Sequence, residues 1–131
     1  MESAFDVQAR TRIENERLRQ IAVEGWSPEH DDQHEDGELL RAAVFYYQYA
    51  ARPDLPLAMR DDGAPVGWPW HARWWKPKGT IRSLEIAGAL ARAEEDRRER
   101  HGYDTSAAKQ KIEQITKALA NALAAGAEAT A

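Results

Sequence analysis

Cysteine is absent from this 131-residue chain, which removes disulfides, thiolate metal sites and cysteine nucleophiles from consideration. No apolar run approaches the roughly 18 residues needed to cross a bilayer, and Met1-Glu2-Ser3-Ala4-Phe5-Asp6 does not read as a signal peptide. A cytoplasmic protein with no membrane partner is expected. A glycine-rich phosphate loop is missing, and no nucleophile–base–acid set of the serine hydrolase kind can be assembled. Positive charge is in short supply: 18 Lys and Arg against 22 Asp and Glu leave a net charge of −4, which argues against generic DNA binding. Two local absences say more than the total. Ser27 to Glu38 contains no Lys or Arg but carries Glu29, Asp31, Asp32, Glu35, Asp36 and Glu38, whereas Gly67 to Arg82 contains no carboxylate.

What remains is ordinary for one globular domain, with 43% hydrophobic and 31% charged residues. Ser3 and Gly25 bracket a first helix over about 4–24, with Ile13, Leu18 and Ile21 as its sparse apolar positions and its charged residues on a wet face. Ser27-Pro28-Glu29 is a helix-start signal. A strong helix is expected over about 36–51, where Leu39, Leu40, Ala43, Val44, Tyr47 and Ala50 recur at helical spacing. Tyr46 and Tyr49 can line a pocket or a subunit contact, with packing in the core or an interface as the favoured role.

From Pro53 to Gly79 five prolines and three glycines exclude regular structure of any length. Thr80 offers an N-cap for a helix to about residue 101, buried through Ile81, Leu84, Ala87, Gly88 and Ala91, with a solvated charged end from Arg92 to Arg100. Gly102 stops it. A last helix then carries Ile112, Ile115, Leu119, Ala122 and Leu123 on one stripe. The expected fold is all-α: about four helices in a small bundle with one long Pro/Trp-rich loop. Residues 1–103 form the helical core with the aromatic loop 53–79, residues 104–125 a docking or dimerisation helix, and 126–131 a disordered tail.

Four of the five tryptophans, Trp68, Trp70, Trp74 and Trp75, fall within eight residues and are interleaved with Arg73, Lys76 and Lys78. Indole stacks on flat rings and cations, while Lys and Arg hold phosphates. Lys76, Lys78 and Arg82 sit just before and within the first turn of the helix opened by Thr80, where the positive dipole end also favours an anion. The expected ligand is a nucleotide or another phosphate-bearing small molecule. A structural lid over the core is the competing reading of the same spacing.

The acidic segment offers two metal sets. Glu35 and Glu38 share a face if the helix is continuous through Gly37, which suits a divalent cation such as magnesium or manganese. His30, His34 and Glu38, at spacings of four, suit zinc or manganese, while Asp32 or His34 can join Glu35 and Glu38 in the first set. An acidic helix start favoured by the macrodipole accounts for the same residues without a metal.

Glu35-Asp36-Gly37-Glu38-Leu39-Leu40-Arg41-Ala42 resembles the first metal helix of the all-α, MazG-like nucleoside triphosphate pyrophosphohydrolases. That resemblance implies a Glu-x-x-Glu helix followed by Glu-x-x-Asp, magnesium, and attack of water on a triphosphate. The corresponding later segment is Glu85-Ile86-Ala87-Gly88, with glycine in the aspartate's place. A longer stretch, over roughly residues 13–100, is similar to small phage and prophage proteins. It carries Glu24-Gly25-Trp26-Ser27-Pro28-Glu29-His30-Asp31-Asp32, His34, Gly37-Glu38-Leu39, Trp68-Pro69-Trp70 and Trp74-Trp75-Lys76-Pro77. This second resemblance implies a phage or prophage setting and no particular activity.

Together these features predict a small phage-type helical protein that binds a nucleotide between the acidic segment and the tryptophan loop. Metal-dependent phosphoanhydride hydrolysis would accompany binding in the enzymatic form. The alternatives are a non-catalytic protein that sequesters the nucleotide and a counter-defence protein that docks on a host protein, with homo-oligomerisation also open.

Overall fold

The Ser3 hydroxyl accepts the Asp6 amide hydrogen while the Asp6 carboxylate accepts that of Ser3, a reciprocal cap that starts the first helix. This helix, α1, spans Ala4–Glu24 and ends at Gly25, whose φ of 75° lies in the left-handed region. The computed structural model describes residues 2–130. Over that span a single turn, α2 (Pro28–Asp31), is followed by α3 (Glu38–Ala51), α4 (Thr80–Arg100) and α5 (Ser106–Thr130), with no β-strand among the described residues. The fold is all-α, as the periodicity predicts.

α4 is the central element and touches α1, α2, α3 and α5. Its small residues Ala87, Gly88, Ala89, Ala91 and Ala93 are buried and let the neighbouring helices approach. Gly88 marks the tightest approach, since a Cβ there would lie 2.5, 2.6 and 2.9 Å from three side-chain carbons of Ile13. Gly88→Ala is therefore expected to lower the melting temperature: overpacking costs about 1–3 kcal/mol, against a gain of at most ~1 kcal/mol in helix propensity. Gly126→Ala is the control, because nothing lies within 4 Å of the added methyl, and it should melt at or above the wild-type temperature. If both variants melt alike, the close crossing of α1 and α4 is not a packing constraint.

Several sequence expectations shift. Gly79, not Thr80, is the N-cap of α4; the Ser83 hydroxyl closes that end by accepting from the Lys78 amide and donating to the Lys78 carbonyl, both at 2.9 Å. On α3 the buried stripe is Leu39, Ala42, Ala43, Tyr46 and Ala50, so Tyr46 rather than Tyr47 is the core tyrosine. α5 continues through Gly126 to Thr130, where a disordered tail was expected; its alanine-rich end keeps helix propensity high across one glycine. Ala131 lies outside the described residues. The stripe of Ile115, Leu119 and Leu123, expected to serve docking or dimerisation, is buried in the core, where α5 packs mainly on α4 and α1.

The largest departure concerns charge. On α1 the buried positions are Ala9, Ile13, Glu16, Arg17 and Gln20, while Leu18 is exposed. On α4 Glu94, Glu95 and Arg97 are buried, although a solvated end was expected. These groups satisfy one another. Arg97 forks onto Glu94 at 2.8 and 3.2 Å, and Arg98 adds a third hydrogen bond at 2.8 Å. Glu16 accepts from Arg19 and from Arg82, each at 2.7 Å. Burial alone would raise the Glu16 pKa, but those two guanidiniums outweigh it and hold the carboxyl below its ordinary value.

Candidate functional site

The segment between α3 and α4 is pinned to the core by its aromatic rings. Trp68 is 4% exposed and meets Phe45, Tyr46, Trp70 and Trp75 with ring centroids 5.1–6.2 Å apart. Its indole N–H donates to the His71 carbonyl at 3.2 Å. The Tyr46 hydroxyl accepts from the Lys76 amide at 3.0 Å and donates to the Trp74 carbonyl at 3.4 Å, fixing the loop at two successive points. Trp75 leans on Tyr46 and Tyr49. A 3₁₀ turn over Ala72–Trp74, capped by the His71 imidazole, then directs Trp74 away from this cluster.

The four loop tryptophans thus divide by role. Trp68 fills the core, and Trp75 is half-buried against it. Trp70 and Trp74, with Trp26, His30, His34, Leu39, Glu24 and Asp31, line a cleft of about 270 Å³ between α2 and the loop. Its walls are mostly ring faces: Trp26 and His30 are nearly parallel, at 6° with centroids 6.5 Å apart, and His34 sits 5.2 Å from His30 and 5.1 Å from Trp70. Trp74 stands at the mouth, 42% exposed. The Arg73 guanidinium and the Lys76 ammonium both lie over its ring, at 5.3 and 5.4 Å. No Lys or Arg lines the interior of the cleft.

α2, which carries His30 and Asp31, is held from two sides. Arg17 on α1 donates to Asp31 Oδ2 at 2.8 Å and to the Trp26 carbonyl at 3.3 Å. Burial holds the Asp31 carboxyl above its ordinary pKa even with that guanidinium beside it. On the opposite side Asp32 accepts from Arg100 at 2.6 Å and contacts the His101 ring at 3.1 Å. The Arg100 hydrogen bond, aided by His101, keeps the Asp32 carboxyl below its ordinary pKa.

Lys76 reaches the cleft mouth, whereas Lys78 is exposed beyond it. Arg82 is turned away, its guanidinium engaged by Glu16 at 2.7 Å and Glu85 at 3.1 Å. The acidic residues do not share a helix face, because Gly37 adopts a φ of 78° and α3 begins only at Glu38. Glu35 is exposed in the turn before it. Glu38 accepts from the Asp36 amide at 2.6 Å and faces His34 Nδ1 at 3.5 Å. His34, Glu38 and the rest of the acidic segment form no group of three or more metal-ligating side chains, nor does any other set among the described residues. Glu85 is paired with Arg12 and Arg82, and Ile13 fills the space beside Gly88. The second carboxylate helix implied by the MazG-like resemblance is therefore not formed at these positions.

Sequence reasoning missed Trp26, Glu24 and Asp31 as cleft residues. One signal was available: Trp26, His30 and His34 follow each other at four-residue spacing across the Ser27 cap. The contribution of Asp31 had no such signal, since its burial depends on Arg17 from another helix. Comparison with protein-family models, with curated proteins and with solved structures found no match.

Proposed function

We propose that this protein binds a nucleotide without built-in catalysis, taking the base into the cleft between α2 and the tryptophan loop and leaving the phosphates at its mouth. The observation that carries this reading is the division of the tryptophans: Trp70 and Trp74 join Trp26, His30 and His34 around a space of about 270 Å³, while Trp68 serves the core and Trp75 leans on Tyr46 and Tyr49. Flat apolar walls suit a planar ring, and each stacked base is worth roughly 1–3 kcal/mol. Arg73 and Lys76, poised over the exposed Trp74 ring, supply the positive charge that the interior lacks. A divalent ion would arrive with the phosphates, since the described residues offer it no group of three or more ligating side chains. In the phage setting that the sequence resemblance implies, such a protein sequesters a signalling nucleotide.

Tryptophan fluorescence titrated with nucleoside monophosphates and triphosphates, with and without magnesium, tests the reading. Trp74→Ala should keep the wild-type melting temperature within a few degrees, because the residue is 42% exposed and outside the core cluster, yet weaken binding roughly 10-fold to 100-fold. Wild-type affinity in that folded variant would sink the proposal. Chromatography of the bound nucleotide after incubation should recover it intact; turnover would instead establish an enzyme.

One feature favours a second reading, docking on a host protein. Tyr49, Leu55 and Met59 are exposed apolar residues lining, with Trp75, a groove of about 420 Å³. A flat fluorescence response to every nucleotide would turn attention to that groove.

A further inference from the structure

The cleft is not chemically uniform, and its one buried ionisable wall residue narrows the ligand. Asp31 is 1% exposed and lines the cleft. Its two oxygens are unequally engaged. Oδ2 accepts from Arg17 at 2.8 Å. Oδ1 has no hydrogen-bond donor among the described residues, and the nearest ring nitrogen, His30 Nδ1, is 3.9 Å away, beyond hydrogen-bond reach. Unlike His30 Nδ1 and Trp70 Nε1, Oδ1 is not among the fully occluded unpartnered atoms, and its residue lines the cleft. A buried carboxylate oxygen left without a donor is costly, and a ligand N–H placed there would remove that cost. Glu24, the other carboxylate on the wall, repeats the sign at a more exposed position, facing Arg19 at 3.4 Å.

Resting on the nucleotide reading, we infer that the cleft selects bases bearing an exocyclic amino group, with that group donating to Asp31 Oδ1 and the ring held among Trp26, Trp70 and Trp74. Adenine, cytosine and guanine carry such a donor. Uracil instead flanks its single ring N–H with two carbonyl oxygens, which would face the carboxylates. Charge-assisted hydrogen bonds discriminate strongly, because the wrong base leaves both partners unpaired.

The test uses the intact chain and matched monophosphates. AMP, CMP, GMP and UMP are titrated against tryptophan fluorescence, alongside adenosine and tetramethylammonium chloride. The expected result is that at least one amino-bearing nucleotide binds about tenfold or more tightly than UMP. UMP binding as tightly as all three others overturns the selectivity while leaving nucleotide binding intact. Adenosine binding as tightly as AMP, with UMP still weak, supports the donor contact and removes the phosphate part of the parent reading. Tetramethylammonium binding with no response to any nucleotide overturns both in favour of an alkylammonium site, and silence from every compound overturns both outright. Asp31→Asn adds a second measurement: where circular dichroism shows it folded, the ratio of AMP to UMP affinity should fall toward one, and an unchanged ratio overturns the contact. The wild-type nucleotide series decides the matter even if that variant does not fold.

Discussion

Arg17→Met is expected to destabilise the protein by about 3–5 kcal/mol, the usual cost of removing one partner from a buried ion pair. The Arg17 and Asp31 side chains are 4% and 2% exposed, and their 2.8 Å contact joins α1 to α2. Methionine approximates the length of the arginine stem, so the loss is mainly the guanidinium and its hydrogen bonds to Asp31 and the Trp26 carbonyl. The double variant Arg17→Met with Asp31→Leu should recover most of the loss, because it leaves no buried charge without a partner. Denaturant unfolding of the two single variants and the double variant measures this. A single variant within 1 kcal/mol of wild type would show that the pair carries little of the α1–α2 contact.

The same pair sets the direction of a pH effect. The Asp31 carboxyl has a folded-state pKa above its ordinary value of 3.8, so the native state binds that proton more tightly than the unfolded chain does. Its contribution favours folding below pH 3.8 and is lost as pH rises through the folded value. Removing Arg17 raises the folded value further. The deficit of Arg17→Met relative to wild type should therefore be largest near neutral pH and shrink on acidification.

Trp68→Ala should cost a comparable ~3–5 kcal/mol, as expected for truncating a buried aromatic side chain. Trp68 is the ring on which Phe45, Tyr46, Trp70 and Trp75 converge. Its removal takes out the anchor that holds the loop against α3. Near-ultraviolet circular dichroism should lose much of its intensity, and with it the cleft that Trp70 and Trp74 help to form. The contrast with Trp74→Ala is what gives the comparison its force. One indole is inside and the other is 42% exposed, so stability and ligand binding should separate between them. If Trp68→Ala melts like wild type, the loop is held by other contacts, and the Tyr46 hydroxyl is the next candidate.

Helix boundaries were legible because their causes are local. Ser3, Gly25, Ser27-Pro28 and Gly102 act within a few residues of themselves, and the structure places each where those rules predict. The clustering of indoles was legible too, and a cleft lies between them and the acidic segment. Its composition was not. The position of Arg82 in the first turn of α4 suggests a phosphate ligand, yet its guanidinium is engaged by Glu16 and Glu85, and Glu16, on the face of α1 that reads as wet, is buried. Hydrophobic periodicity reports only apolar burial, so a helix that buries paired charges looks solvated from its sequence.

By itself, then, the sequence determined the all-α class, both ends of α1, the ends of α3 and α4 and the irregular path of residues 53–79, since capping, proline geometry and left-handed glycine act over a few bonds. The tertiary structure alone decided that Trp68 is core while Trp70 and Trp74 line a cleft, and that Asp31 is buried with one oxygen that meets no donor among the described residues. Those outcomes depend on which helix lands against which ring or carboxylate, and such contacts join residues far apart in the chain.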